Sequence, residues 1–191
     1  MLKKLFIKNM VCNRCIQVVE EDLTKAGYNV MDIKLGEVLL ADEFPDEDIP
    51  AIKEMLEKRG FELLEDKSRK LIERIKNLTI EIIHQSGKPL KVNYSSFFEM
   101  EIGRDYKFLS TLFSSVEGIT IEHYIILQKI EKVKELLIYD ELTLSEISYQ
   151  LNYSSVQHLS NQFKKTSGMS PSSFKKLKKK SRKPLDQLTG K

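Results

Sequence analysis

The chain of 191 residues is 41% hydrophobic, enough to bury ordinary cores, which excludes a disordered chain and leaves room for one generous domain or two small ones. Its net charge of +3 conceals a division: residues 1 to 66 hold 9 basic and 15 acidic side chains and residues 67 to 191 hold 22 and 13, so an acidic module precedes a basic one suited to a polyanion such as nucleic acid. Two cysteines exclude a disulfide framework, and the lack of a signal-like N-terminus or of about 18 consecutive apolar residues predicts a cytoplasmic protein with no membrane span.

In chain order, Leu5 to Lys8 predicts a first strand closed by Asn9, and Val30 to Leu35 and Glu37 to Leu40 predict two more, separated by Gly36. Between them, Cys15 to Ala26 places Ile16, Val18, Val19, Leu23 and Ala26 at helical spacing and stops at Gly27. Past Pro45, the acidic Asp46, Glu47 and Asp48 lead a second helix with Ile49, Ile52, Met55 and Leu56 on its apolar side. That helix stops at Gly60, and Phe61 to Leu64 is a last strand. The order βαββαβ predicts a ferredoxin-like α+β domain over residues 1–66.

Met10-Val11-Cys12-Asn13-Arg14-Cys15 sits where the first strand passes into the first helix. In this position the M-x-C-x-x-C run, with Gly60-Phe61 opening the last strand, resembles the heavy-metal-associated domain of copper chaperones and metal-transporting ATPases. The resemblance implies that Cys12 and Cys15 are metal ligands. Two thiolates on a loop entering a helix suit Cu(I) or another soft ion, whereas zinc wants about four ligands and His84, His123 and His158 all lie outside this module. The family places Gly where this chain has Asn9, and small residues where it has Asn13 and Arg14. Arg14 is expected to lower a cysteine pKa, which serves metal capture and thiol redox chemistry alike. Soft-metal binding, redox sensing and a scaffold with a vestigial motif stay open at this point; Met10 is expected in the core in each.

Residues 67–89 predict a helical linker, capped by Ser68, with Leu71, Ile72, Ile75, Leu78, Ile82 and Ile83 as its stripe and Gly87-Lys88-Pro89 as its stop. His84, near its end, is expected at the surface.

From Asn93 the sequence repeats itself. Ser96 to Asp105 is a short helix and turn followed by Tyr106 to Phe113; Leu144 to Ser154 is again a short helix and turn followed by Ser155 to Phe163. Gly103 aligns with Asn152, Leu109 with Leu159 and Phe113 with Phe163, and Asn tolerates the left-handed conformation that Gly supplies in such a turn. Ile121 to Ile138 joins the repeats through an apolar face of Ile121, Ile125, Leu127, Ile130, Val133, Leu136 and Leu137. The pattern predicts an all-α domain with two helix-turn-helix units over residues 90–177, held for two successive major-groove faces about 34 Å apart. Phe108, Leu109, Leu112 and Phe113, with Val156, Leu159 and Phe163, are expected to form the buried spine of the second helices.

The run Leu159-Ser160-Asn161-Gln162-Phe163-Lys164-Lys165-Thr166-Ser167-Gly168-Met169-Ser170-Pro171-Ser172-Ser173-Phe174 resembles the signature of the AraC/XylS family of transcription regulators. The resemblance implies sequence-specific binding of double-stranded promoter DNA, with activation by recruiting RNA polymerase. It places Lys107, Ser110 and Thr111 at the groove from the first unit and Gln157, His158 and Asn161 from the second, with Ser160 a further DNA-binding residue; Ser155, Lys164 and Lys165 suit phosphate. Glu99 stands where the family prefers Ala, a place Ser148 holds in the second unit. A carboxylate there is expected to crowd the helix crossing and repel phosphate, leaving the second unit as the main reader. Residues 178–191 predict a basic, disordered tail that attracts phosphate without specificity.

No Ser/His/Asp set, paired carboxylates or phosphate-cradling Gly loop is present, so no enzyme is expected. The expected function is a DNA-binding regulator responding to a soft metal, with a homodimer left open. The alternative is a metal chaperone or interaction module whose helical half docks protein instead of DNA.

Overall fold

The computed structural model describes residues 3–41, 46–64, 66–86, 89–177 and 182–188, in two compact units, Met1–Asn77 and Leu78–Lys191. Among the described residues no helix is long and apolar enough to cross a membrane.

The first unit contains β1 (Lys3–Lys8), α1 (Asn13–Lys25), β2 (Val30–Lys34), β3 (Glu37–Leu40), a 3-10 turn at Asp46–Asp48, α2 (Ile49–Glu57), β4 (Glu62–Leu63) and most of α3 (Lys67–Ile80). The strands form one antiparallel sheet in the order β2-β3-β1-β4. Period-two alternation sends Leu5 and Ile7 of β1 and Val38 and Leu40 of β3 inward, where they meet Val19 and Leu23 of α1 and Ile52 and Leu56 of α2. Met10 is fully buried with them, as expected.

α3 departs from the expected linker in two ways. Its start is capped by Asp66, whose carboxylate accepts from the Arg69 N–H at 2.9 Å, so Ser68 lies inside the helix and is not its cap. Its first part also belongs to the first unit. Ile72 and Ile75 are buried, the Asn9 N–H donates to Glu73 Oε1 at 3.2 Å, and the buried Asn77 amide donates to the Leu35 carbonyl at 3.0 Å. Gly36 follows from this last contact: its φ is +74°, and a Cβ there would run into the Asn77 amide. After Ile80 the helix widens into a π turn, Glu81–Gln85. The expected stop at Gly87-Lys88 falls outside the described residues.

The second unit contains α4 (Tyr94–Ile102), α5 (Tyr106–Glu117), α6 (Ile121–Tyr139), α7 (Leu144–Gln150), α8 (Val156–Ser167), α9 (Pro171–Lys175) and a 3-10 turn at Leu185–Gln187. All six α-helices start at a side chain that accepts from the backbone three residues on: Asn93, Asp105, Thr120, Thr143, Ser155 and Ser170. Thr143 and Glu146 complete a capping box. α6 is the core of the unit and packs on α5, α8 and α9. Besides the expected aliphatic face, it buries Tyr124, Gln128, Lys129 and Glu131, which apolar periodicity does not flag.

Two further expectations are corrected here. His84 is not a surface residue: it lies largely buried in the π turn with its Nε2 2.9 Å from Gln128 Oε1 on α6. Of the basic tail, residues 178–181 and 189–191 are outside the described residues, but 182–188 are ordered against α6. Arg182 donates to Glu135 at 2.7 Å, the Lys183 N–H to Glu131 at 3.0 Å, Gln128 Nε2 to the Leu185 carbonyl at 3.2 Å, and Leu188 is buried. Glu135 and Glu131 of α6 hold this part of the tail.

Burial pulls the His84 pKa down from its ordinary value to about 4, outweighing the Gln128 hydrogen bond. Because the unfolded chain takes up this proton near pH 6.5 and the folded chain only near pH 4, stability falls as pH drops through that window. Urea unfolding at pH 7 and at pH 4 is expected to show wild type losing up to about 3 kcal/mol more than His84→Gln, which does not titrate.

Candidate nucleic-acid interface

Each repeat is a short helix, a left-handed turn and a longer helix: α4 and α5, then α7 and α8. The turn residues are Gly103, with φ +69°, and Asn152, with φ +53°. Asn152 adopts the conformation expected of it and also donates its amide to the Leu90 carbonyl at 2.6 Å. Each second helix closes on a left-handed glycine, Gly118 or Gly168, and its buried spine meets the next helix through one ring pair. Phe113 lies 5.6 Å from Tyr124 of α6, and Phe163 lies 5.7 Å from Phe174 of α9.

Burying Leu109 and Phe113 turns the other face of α5 outward, and Leu159 and Phe163 do the same for α8. Lys107, Thr111, Ser155, Gln157, His158, Asn161, Lys164 and Lys165 are exposed, while Ser110 and Ser160 are half-buried beside the spine. The sequence therefore places its ten candidates on two helices of one unit. Leu112 and Val156 are only partly covered. Phe108 was expected in the spine, but it is 50% exposed. It stands one residue, about 100°, from Leu109, and the repeat pairs it with the outward His158. That alignment is the signal that could have found it.

On α8, Gln157 Nε2 donates to Asn161 Oδ1 at 2.8 Å, joining the two amides into one plate. The pair keeps Gln157 Oε1 as an acceptor and Asn161 Nδ2 as a donor, the complement of adenine N6 and N7. His158 packs edge-on against the Tyr153 ring at 5.3 Å, with Nδ1 3.0 Å from Ser154 Oγ, so Nε2 is the nitrogen left outward.

The N-termini of the two helices differ electrostatically. α8 begins at the neutral cap Ser155. α5 begins at Asp105, and Glu99 reaches across the turn to accept from the Tyr106 N–H at 2.9 Å. Glu99 thus does not crowd the helix crossing: it is exposed and serves as a second cap. Two carboxylates at that N-terminus satisfy the donors a phosphate oxygen would otherwise use. Tyr106 in turn donates its hydroxyl to Glu122 at 2.5 Å, which with burial pushes its pKa up.

In the first unit, Cys12 and Cys15 lie with their sulfurs 3.4 Å apart, at the N-terminal end of α1. Burial pushes the Cys15 thiol pKa up, contrary to the lowering expected from Arg14, which is exposed. Among the described residues no third Cys, His, Asp or Glu joins the pair.

Residues 101–177 match the family described as "Helix-turn-helix domain", which is not an enzyme family. Among solved structures, the C-terminal domain of AraT, a response regulator from Geobacillus stearothermophilus, shares the fold at 22% identity and a TM-score of 0.50, over 61% of this chain and 92% of that one. No curated protein matches significantly.

The two turn residues can be tested directly. Asn152→Gly keeps the backbone conformation and loses only the hydrogen bond to Leu90, an expected cost of about 1 kcal/mol in urea unfolding. Asn152→Val loses both, and an expected cost of about 2–3 kcal/mol follows from adding a strained left-handed residue.

Proposed function

We propose that the chain is a sequence-specific DNA-binding transcription regulator that enters the major groove with α5 and α8. The observation that carries this reading is the duplicated helix-turn-helix, with matching turns, ring pairs and closing glycines, whose second helices turn polar faces outward. The helix-turn-helix family match and the fold shared with the AraT domain support it. In this reading the Gln157–Asn161 plate pairs with adenine, His158 Nε2 and the half-buried Ser160 line the same groove, and Ser155, Lys164 and Lys165 hold phosphates. α5 adds Lys107, Ser110 and Thr111, with weaker phosphate anchoring because Asp105 and Glu99 occupy its N-terminus. α6, 19 residues and therefore about 28 Å long, is the rod between them. Activation at a promoter through RNA polymerase, in the cytoplasm, fits such a protein, and a homodimer is compatible with it.

Selection from random duplexes at physiological salt is expected to enrich one motif. Asn161→Ala should relax preference at one adenine position, at a cost of about 1–3 kcal/mol on the preferred duplex and little on others. No enrichment would favour the helical half as a protein-docking module.

A second reading concerns the first unit. Its antiparallel sheet in the order β2-β3-β1-β4, with α1 and α2 as the two crossovers, supports reading it as a ferredoxin-like split βαβ resembling heavy-metal-associated domains. Two thiols 3.4 Å apart fit Cu(I) or another soft ion, which would be the signal such a regulator reports. Because the raised Cys15 thiol must lose its proton to bind, uptake should strengthen as pH rises. In a Cu(I) titration against a competing chelator, wild type is expected to hold the ion and Cys12→Ser/Cys15→Ser to release it. Equal uptake would leave the module a scaffold.

A further inference from the structure

We infer that Phe108 is the specificity-determining contact of the first helix-turn-helix unit, and that it reads the C5-methyl group of thymine in the major groove. The inference rests on the proposed DNA binding and adds to it the base that α5 selects.

The argument begins with what α5 can offer. Phe108 is 50% exposed, on the second helix of its unit, at the place His158 occupies on α8. Lys107 and Thr111 share its side of the helix, since residues three and four apart are neighbours on a helix surface. Three of the hydroxyls on α5 already donate to its own backbone, and Ser110 is half-buried beside the spine. Thr111 donates to the Lys107 carbonyl at 2.8 Å, Ser114 to Ser110 at 2.7 Å and Ser115 to Leu112 at 2.8 Å. With its hydroxyl occupied, Thr111 contributes its methyl group, and the outward face becomes an aromatic ring and a methyl beside one cation.

The Phe108 ring cannot itself distinguish donors from acceptors, but the major groove presents one apolar group that it can contact, the thymine methyl. Lys107 steers the ring to the duplex through the phosphates. α8 presents the opposite chemistry, paired amides and an imidazole. The two units thus read DNA by different physics: shape and apolar contact from α5, hydrogen-bond pattern from α8. Half of Phe108 is left exposed, while Phe98, Phe113 and Phe163 are fully buried.

The test uses the full chain and the duplex that selection enriches. Each thymine is replaced singly by deoxyuridine, which removes the methyl and keeps the hydrogen-bonding edge, and affinity is read by fluorescence anisotropy for wild type and Phe108→Ala. One position in the half-site opposite the one that Asn161→Ala disturbs is expected to weaken wild type about fourfold, the factor that burying one methyl group is worth. Phe108→Ala is expected to bind the thymine and uracil duplexes alike. Its circular dichroism should match wild type, because the ring is not part of the core. If wild type binds every uracil duplex as tightly as its parent, or Phe108→Ala weakens thymine and uracil duplexes equally, the inference is overturned while the regulator reading stands. If no duplex is enriched at all, both fall.

Discussion

Three polar residues on one helix, Gln128, Lys129 and Glu131 of α6, hold the second unit together. Each is buried, and each is satisfied by groups from different parts of the chain. Gln128 meets His84, Tyr124 and the Leu185 carbonyl; Glu131 meets Lys134 and the Lys183 N–H. The Lys129 ammonium sits 5.3 Å from the Tyr94 ring of α4 and 4.9 Å from the Tyr153 ring beside the second turn. Burial lowers its pKa to about 8, and two ring faces stabilise the charge that remains. A leucine there could pack against many neighbours, whereas the ammonium is well placed only when both rings are present. The spacing of the two helix-turn-helix units is therefore set by a demanding contact and not by apolar burial alone.

That frame leaves the recognition surfaces free to diverge. Phe113 with Tyr124 and Phe163 with Phe174 anchor α5 and α8 through equivalent ring pairs, so the inward residues repeat. The outward ones do not: Lys107, Phe108 and Thr111 face the positions of Gln157, His158 and Asn161. The caps diverge too, Asp105 against Ser155, and Glu99 adds a second carboxylate to the first unit only. The repeat accounts for the scaffold, and substitution on its exposed face accounts for two outward surfaces of unlike chemistry.

Much of this was legible in the sequence because the signals are local. The strands follow from alternation, the turns from Gly103 and Asn152, and the repeat from the spacing of Leu109, Phe113, Leu159 and Phe163. What escaped depends on partners distant in sequence. His84 reads as polar and terminal, and only Gln128, 44 residues on, makes it a buried group. Arg182 reads as a phosphate ligand until Glu135 faces it. Phe108 is not legible for another reason: apolar side chains are common on protein surfaces, and a helix turns about 100° between neighbours.

The cysteine loop shows the same dependence on distant partners. Asn9 adopts φ +72°, a conformation Asn tolerates better than most side chains. Its amide side chain donates to the Gly60 carbonyl at 3.0 Å, its N–H to Glu73 of α3, and its carbonyl lies 4.0 Å from Cys15 Sγ. Glycine would supply the dihedral but not the side-chain bond to Gly60. Asn9 thus ties the base of the thiol loop to the end of α2 and to α3 together, so the helix that reads as a linker is a structural wall of the Cys12–Cys15 site. A loop braced on both sides holds the Cys12 and Cys15 sulfurs 3.4 Å apart.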